Sequence, residues 1–152
     1  MTNTPQRATV VVGVDGTAGS RAAIRLAAQE ARYREAALVA VMAYSSEPPL
    51  GAPAGRPMAT LRTAEDQRIA AETALQDAVA DALGGRADEV ELQALPGLAG
   101  RRLVDAARKA DAQLLVLASR GSAARLLGAV SQYVLRRAPC PVLVVSAAAQ
   151  AA

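Results

Sequence analysis

Short apolar runs separated by helix-length segments constrain this chain more than any other feature. Residues 8–14 read Ala-Thr-Val-Val-Val-Gly-Val, 38–43 Leu-Val-Ala-Val-Met-Ala, 114–118 Leu-Leu-Val-Leu-Ala and 142–145 Val-Leu-Val-Val. Runs this short and this rich in β-branched residues, with no polar alternation, predict strands buried on both faces, as in a parallel sheet. A fifth run, 89–95, alternates polar and apolar residues and predicts a half-exposed strand near a sheet edge. Between the runs the spacing predicts helices: one from the 15–20 turn to about residue 35, then about 60–83, 99–110 and about 130–137. Gly84-Gly85 closes the second of these. Strands that alternate with helices need crossover connections. The fold class is therefore α/β, a parallel sheet with helices on both faces and right-handed crossovers.

Composition narrows what such a fold can do. The 152 residues read as one domain over 1–152, with an ordered core over 7–146 and loose ends outside it. Hydrophobic residues make up 52% but aromatics only 2%, with no Trp and no Phe. The core must be Ala, Val and Leu, and no aromatic platform exists on which single-stranded nucleic acid would stack. Seventeen basic against fourteen acidic residues leave +3, spread along the chain rather than gathered in a stripe, so no nucleic-acid partner is expected. Two local basic groups stand out. Arg101, Arg102, Arg108 and Lys109 read as a solvated helix face. Arg120, Arg125, Arg136 and Arg137 flank the loop discussed below.

The absence of His removes the commonest general base, the Ser-His-Asp hydrolases and most transition-metal sites. Cys140, the single cysteine, excludes an internal disulfide and fits a reducing compartment. Set between Pro139 and Pro141 before an apolar strand, it reads as a buried, inert thiol. No stretch is long and apolar enough to span a membrane, and the polar residues 1–7 do not read as a signal peptide. A cytoplasmic protein without a membrane partner is the expectation. The Pro- and Gly-rich stretch 44–58 reads as a long loop, a kind of segment that is often functional.

Two constellations carry potential chemistry. At the end of the first strand, Gly13-Val14-Asp15-Gly16-Thr17 places Asp15 where ligands of open parallel sheets bind, outside the strands' carboxyl ends. Asp15 can accept from a ribose hydroxyl or an amino group. An Asp-Gly turn with a helix-capping role explains the same residues. The second constellation, 118–131, joins a buried strand to a helix through Ala118, Ser119, Arg120, Gly121, Arg125, Gly128, Ala129, Val130 and Ser131. Backbone amides of a Gly-bearing loop and a helix N-terminus make an anion site, to which Arg120 and Arg125 would add charge. It is no Walker loop, since no Lys-Ser/Thr pair closes it. A plain connection would look the same.

Taken together, Val11-Val12-Gly13-Val14-Asp15-Gly16, Ala110-Asp111 with 114–121, and Val130-Ser131-Gln132-Tyr133-Val134-Leu135-Arg136-Arg137-Ala138-Pro139-Cys140-Pro141-Val142-Leu143-Val144-Val145 resemble the universal stress protein family over nearly the whole chain. The resemblance implies a Rossmann-like, adenine nucleotide alpha hydrolase-like sheet of five parallel strands in the order 3-2-1-4-5. It also implies a non-catalytic stress-response module that binds ATP or another adenine nucleotide, Mg2+ entering only with ATP. The implied site comprises Val14, Asp15, the strand end Met42-Ala43, and the loop residues of 118–131 named above. Homodimerisation through the last strand, Val142, Leu143, Val144 and Val145, is implied as well. Nucleotide-binding members carry Gly, two residues, Gly, nine residues, then Gly-Ser or Gly-Thr. Here Ala118 replaces the first Gly, Gly121 matches the second, and Gly128-Ala129 follows after only six residues. Ala129 lacks a hydroxyl that would bond a phosphate, and the shortened loop reshapes the cradle. Two further readings therefore stand beside the first: a degenerate dimer that contacts an unknown partner protein, and a slow ATPase. The missing His and Lys-Ser/Thr pair weigh against the latter.

Overall fold

The computed structural model describes residues 6–46, 63–119 and 128–146. Its elements alternate along the chain: β1 (Thr9–Gly13), α1 (Ala18–Tyr33), β2 (Ala37–Tyr44), α2 (Ala64–Leu83), a 3-10 turn (Gly84–Glu89), β3 (Val90–Pro96), α3 (Ala99–Lys109), β4 (Leu114–Ala118), α4 (Ala129–Arg137) and β5 (Val142–Val145). All four strand pairings are parallel, in the order β3-β2-β1-β4-β5. The apolar runs became the three inner strands and β5, and the alternating run became the edge strand β3. Much of the loop expected over 44–58, and the expected first helical turn at 60–62, lie outside the described residues.

Residue parity divides the core. Val10, Val12, Leu38, Ala40, Leu114 and Val116 face one side, where they meet Ala23, Ile24 and Ala27 of α1 and Leu75 and Val79 of α2. Val11, Val39, Val41, Leu115 and Leu117 face the other, against Leu103, Val104 and Ala107 of α3 and Val134 of α4. A strand buried on both sides cannot alternate with polar residues, which is why β1, β2 and β4 read as unbroken apolar runs. The alanines of α1 and α3 let these helices lie close to the sheet. Since α1 and α2 cover one face and α3 and α4 the other, the winding reverses between β1 and β4. At that point the carboxyl ends of two neighbouring strands lead into helices on opposite faces, and a crevice opens.

Gly84 closes α2 as its cap, as expected, and at once begins the 3-10 turn that carries the chain to β3. One local expectation needs correcting. Cys140 is half-buried rather than buried, because it lies in the bend before β5, at the rim of the α3–α4 side of the core.

Candidate functional site

The crevice at the switch point is a cleft of about 260 Å³ walled by Gly13, Val14, Asp15, Ser20, Val41, Ala43, Ala99, Leu103, Leu117, Ala118 and the first residues of α4 with their cap, Gly128, Ala129, Val130 and Ser131. Each wall follows from the fold. Odd-numbered Val41 and Ala43 of β2 and Leu117 of β4 point toward the α3–α4 side, and Leu103 of α3 closes over them. Gly13 permits this approach: a Cβ there would lie 2.8 Å from Leu117 Cδ2 and 3.1 Å from both Leu103 methyls. The floor is therefore apolar and closely packed, suited to an apolar ring.

The rim is polar. Asp15 is exposed, and its Oδ1 accepts from the Thr17 amide at 2.9 Å and the Thr17 hydroxyl at 2.6 Å. The turn role thus holds, and it holds the carboxylate at the cleft mouth, but the helix cap expected of Asp15 falls to Thr17. Thr17 in turn caps α1, accepting from the Ser20 amide at 3.3 Å, while Ser20 Oγ donates to the Thr17 carbonyl at 2.9 Å. Across the cleft, α4 begins at Gly128 with no side-chain cap. The first amides of an uncapped helix lack intrahelical acceptors and present partial positive charge, which suits an anion. Among the described wall residues Asp15 is the one charged group. Among the described residues no cluster of His, Cys, Asp and Glu is placed to hold a metal ion.

Eight of the residues singled out in the sequence come together here: Val14, Asp15, Ala43, Ala118, Gly128, Ala129, Val130 and Ser131. Ala118 has no positive φ, so its methyl adds bulk without backbone strain. Met42 does not line the cleft. As an even-numbered residue of β2 it points into the opposite core, against the α1–α2 side. Ser119 does not line it either, and its amide donates to the Val145 carbonyl at 2.9 Å, extending the pairing of β4 with β5. Arg120, Gly121 and Arg125 lie outside the described residues. Gly13, part of the first constellation, lines the cleft too without having been assigned to the site, and Ser20, Val41, Ala99, Leu103 and Leu117 were missed. Strand parity applied to β2 and β4 would have found Val41 and Leu117 and would have rejected Met42.

A larger cavity, about 560 Å³, lies at the other end of the sheet, lined by Arg7, Arg32, Arg86, Glu35 and Glu89 among others. It collects the C-terminal ends of α1 and α2, where arginines offset the carbonyl ends of the helix dipoles.

Comparison with known proteins agrees with the geometry. The sequence profile described as Universal stress protein family matches residues 7–146. The chain is 33% identical over 140 residues to a universal stress protein of Mycobacterium tuberculosis, covering 90% of this chain and 46% of the relative. It is 37% identical over 151 residues to one of Mycolicibacterium smegmatis, covering 94% of this chain and 49% of the relative. It thus spans about half the length of these mycobacterial relatives. A universal stress protein of Thermus aquaticus is 34% identical over 143 residues, 90% of this chain and 97% of the relative. Among solved structures, a universal stress protein in complex with cAMP superposes with a TM-score of 0.63 at 30% identity, covering 91% of this chain and 96% of that one. The universal stress protein UspA from Lactobacillus plantarum gives 0.70 at 23% identity, covering 91% and 97%. No described helix is long and apolar enough to cross a membrane. With the profile spanning all five strands and a solved relative superposing on the same sheet, the chain belongs to the universal stress protein family.

Proposed function

We propose that this chain is a non-catalytic stress-response module, a single domain that binds an adenine nucleotide in the switch-point cleft. The observation that carries this reading is the pairing within one cleft of an apolar floor (Val41, Leu103, Leu117) with the uncapped N-terminus of α4. The floor suits a purine and the helix terminus suits a phosphate. The cAMP complex of a relative 30% identical to this chain supports the ligand class. Asp15 at the mouth accepts from the ribose or base. Arg120, Gly121 and Arg125 belong to the proposed phosphate side, and Mg2+ enters only as the companion of a triphosphate. A lone, half-buried cysteine fits a cytoplasmic location, and β5 is the proposed dimer edge.

Isothermal titration with AMP, cAMP and ATP tests the reading. Binding of at least one of them is expected, with ATP gaining little over AMP, because Ala129 supplies no hydroxyl to the extra phosphates. Asp15→Ala should weaken binding by at least about 1 kcal/mol through the lost acceptor. Leu103→Arg should abolish it by filling the floor. If the wild-type protein binds none of the three, the second reading stands, a dimer that meets a partner protein with an empty cleft. Ala118 and Ala129 at the cleft wall are the observation in its favour.

A further inference from the structure

On the outer side of α3 and α4 a second cluster has no part in the cleft. Gly100 seats the ring of Tyr133 against α3, since a Cβ on Gly100 would lie 2.8 Å from Tyr133 Cδ1. The Arg137 guanidinium lies 4.5 Å from the centre of that ring, and its Nη1 donates to the Tyr133 hydroxyl at 3.0 Å. Arg101, which follows Gly100, lies close enough to the phenol to help lower its pKa. One guanidinium thus bonds the phenol oxygen and a second lies near it. Among the described residues neither forms an ion pair with a carboxylate. Asp105, one turn on from Arg101, pairs instead with Arg102 at 3.5 Å. The two helices carry six cationic side chains against the single carboxylate of Asp105.

We propose that Arg101, Arg137 and the Tyr133 hydroxyl form a receptor for a phosphate monoester on the outer surface of α3 and α4. Two cations and one hydroxyl donor match a dianion with three terminal oxygens, whereas a carboxylate neutralises only one of the two charges. Arginine supplies forked donors suited to such an anion. The guanidiniums of Arg137 and Arg101 also hold the phenol below its ordinary pKa, which strengthens it as a donor. Gly100 and the aromatic stacking fix the cluster before any ligand arrives, which lowers the entropy cost of binding.

The cluster provides its own reporter. The protein is labelled with 13Cζ-tyrosine and titrated with methyl phosphate, the resonances of Tyr33, Tyr44 and Tyr133 being assigned by single Phe variants. The Tyr133 resonance should shift saturably, with a dissociation constant on the order of 1 mM, while Tyr33 and Tyr44 stay still. The phenol's titration should move to higher pH as the bound dianion offsets the guanidiniums. Arg101→Gln and Arg137→Gln, each alone, should weaken the response by about tenfold or more, with circular dichroism confirming the fold. No saturable shift at Tyr133, or an equal response to acetate, overturns the proposal. A phosphoserine peptide that binds about tenfold tighter than methyl phosphate supports the site and assigns the phosphoryl group to a partner protein. Equal affinity supports it and assigns a small phosphorylated molecule.

Discussion

Single positions carry much of what the cleft is. Gly13 leaves Leu103 and Leu117 room to meet, and Asp15 serves both its own turn and the cleft mouth. Cys140 shows the reverse, a position kept chemically quiet by its surroundings. Burial pushes its thiol above the usual value of about 9, and the thiolate is the reactive species. Near neutral pH a disulfide reagent such as DTNB should therefore react with native Cys140 more slowly than with free cysteine, and urea should restore the free rate. The sign of the linkage follows. A raised folded-state pKa contributes stability that is present below the unfolded thiol's pKa and is lost as pH rises through the folded one. A native rate equal to that of free cysteine near neutral pH would refute the burial argument. At this scale the sequence was partly legible. Asp15 and Ser131 were found because strand ends and helix starts at a switch point are readable positions. Met42 was misplaced because a continuous apolar run hides which of its alternate residues faces which helix pair.

Helix α2 shows which parts of an element depend on its ends. Its buried residues are only Ala71, Leu75, Ala78 and Val79, so much of its length lies on the surface. The first turn is held by a capping box: the Thr63 amide donates to Asp66 Oδ2 at 3.0 Å, and the Asp66 amide donates to Thr63 Oγ1 at 3.1 Å. Arg68 pairs with Glu65 and Glu72 along the surface, where such pairs add little. Thr63→Ala should cost about 1 kcal/mol of stability, read from urea unfolding, and Thr63→Ser should restore most of it. A loss below about 0.3 kcal/mol would mean that the first turn frays in the native state and the cap is idle. The helix was legible from its length and its terminal glycines, but the 3-10 turn after it was not. A Gly-Gly pair signals that an α-helix stops and does not say what conformation follows. Strand type was readable from run composition, because double-sided burial leaves a mark on the residues. Strand order was not, since no local pattern in β1 records that β2 and β4 are its neighbours; that order came from the family resemblance.

At the scale of the whole molecule, the sheet has two edges that solve the same problem differently. β3 interrupts its edge with Glu91 and Gln93, whose side chains hydrogen-bond to each other at 2.8 Å. A charge on an edge strand discourages pairing with another chain. β5 carries no charge: Val142, Leu143 and Val144 are all half-buried, and only Val145 is buried. It pairs with β4 on one side, and among the described residues no strand covers the other. The prolines at 139 and 141 protect only its entry. Its shortness, four residues, is itself a way to blunt an edge, so the lone-protein alternative has physical content. Two copies related by a two-fold axis would pair their β5 strands antiparallel and cover both edges with one self-complementary surface. Relatives about twice as long as this chain, of which it covers 46% and 49%, have the length for a second such unit. Val144 lies beside Leu117 in the β4–β5 register and is half-exposed, so a lysine there can reach water without breaking the core. Val144→Lys should therefore leave the melting of the isolated fold nearly unchanged while moving the species in sedimentation velocity from dimer to monomer. The like charges of two lysines on facing edges would repel. A wild-type protein that sediments as a monomer at micromolar concentration would show instead that four residues are too few to pair and that β5 leaves its edge in water.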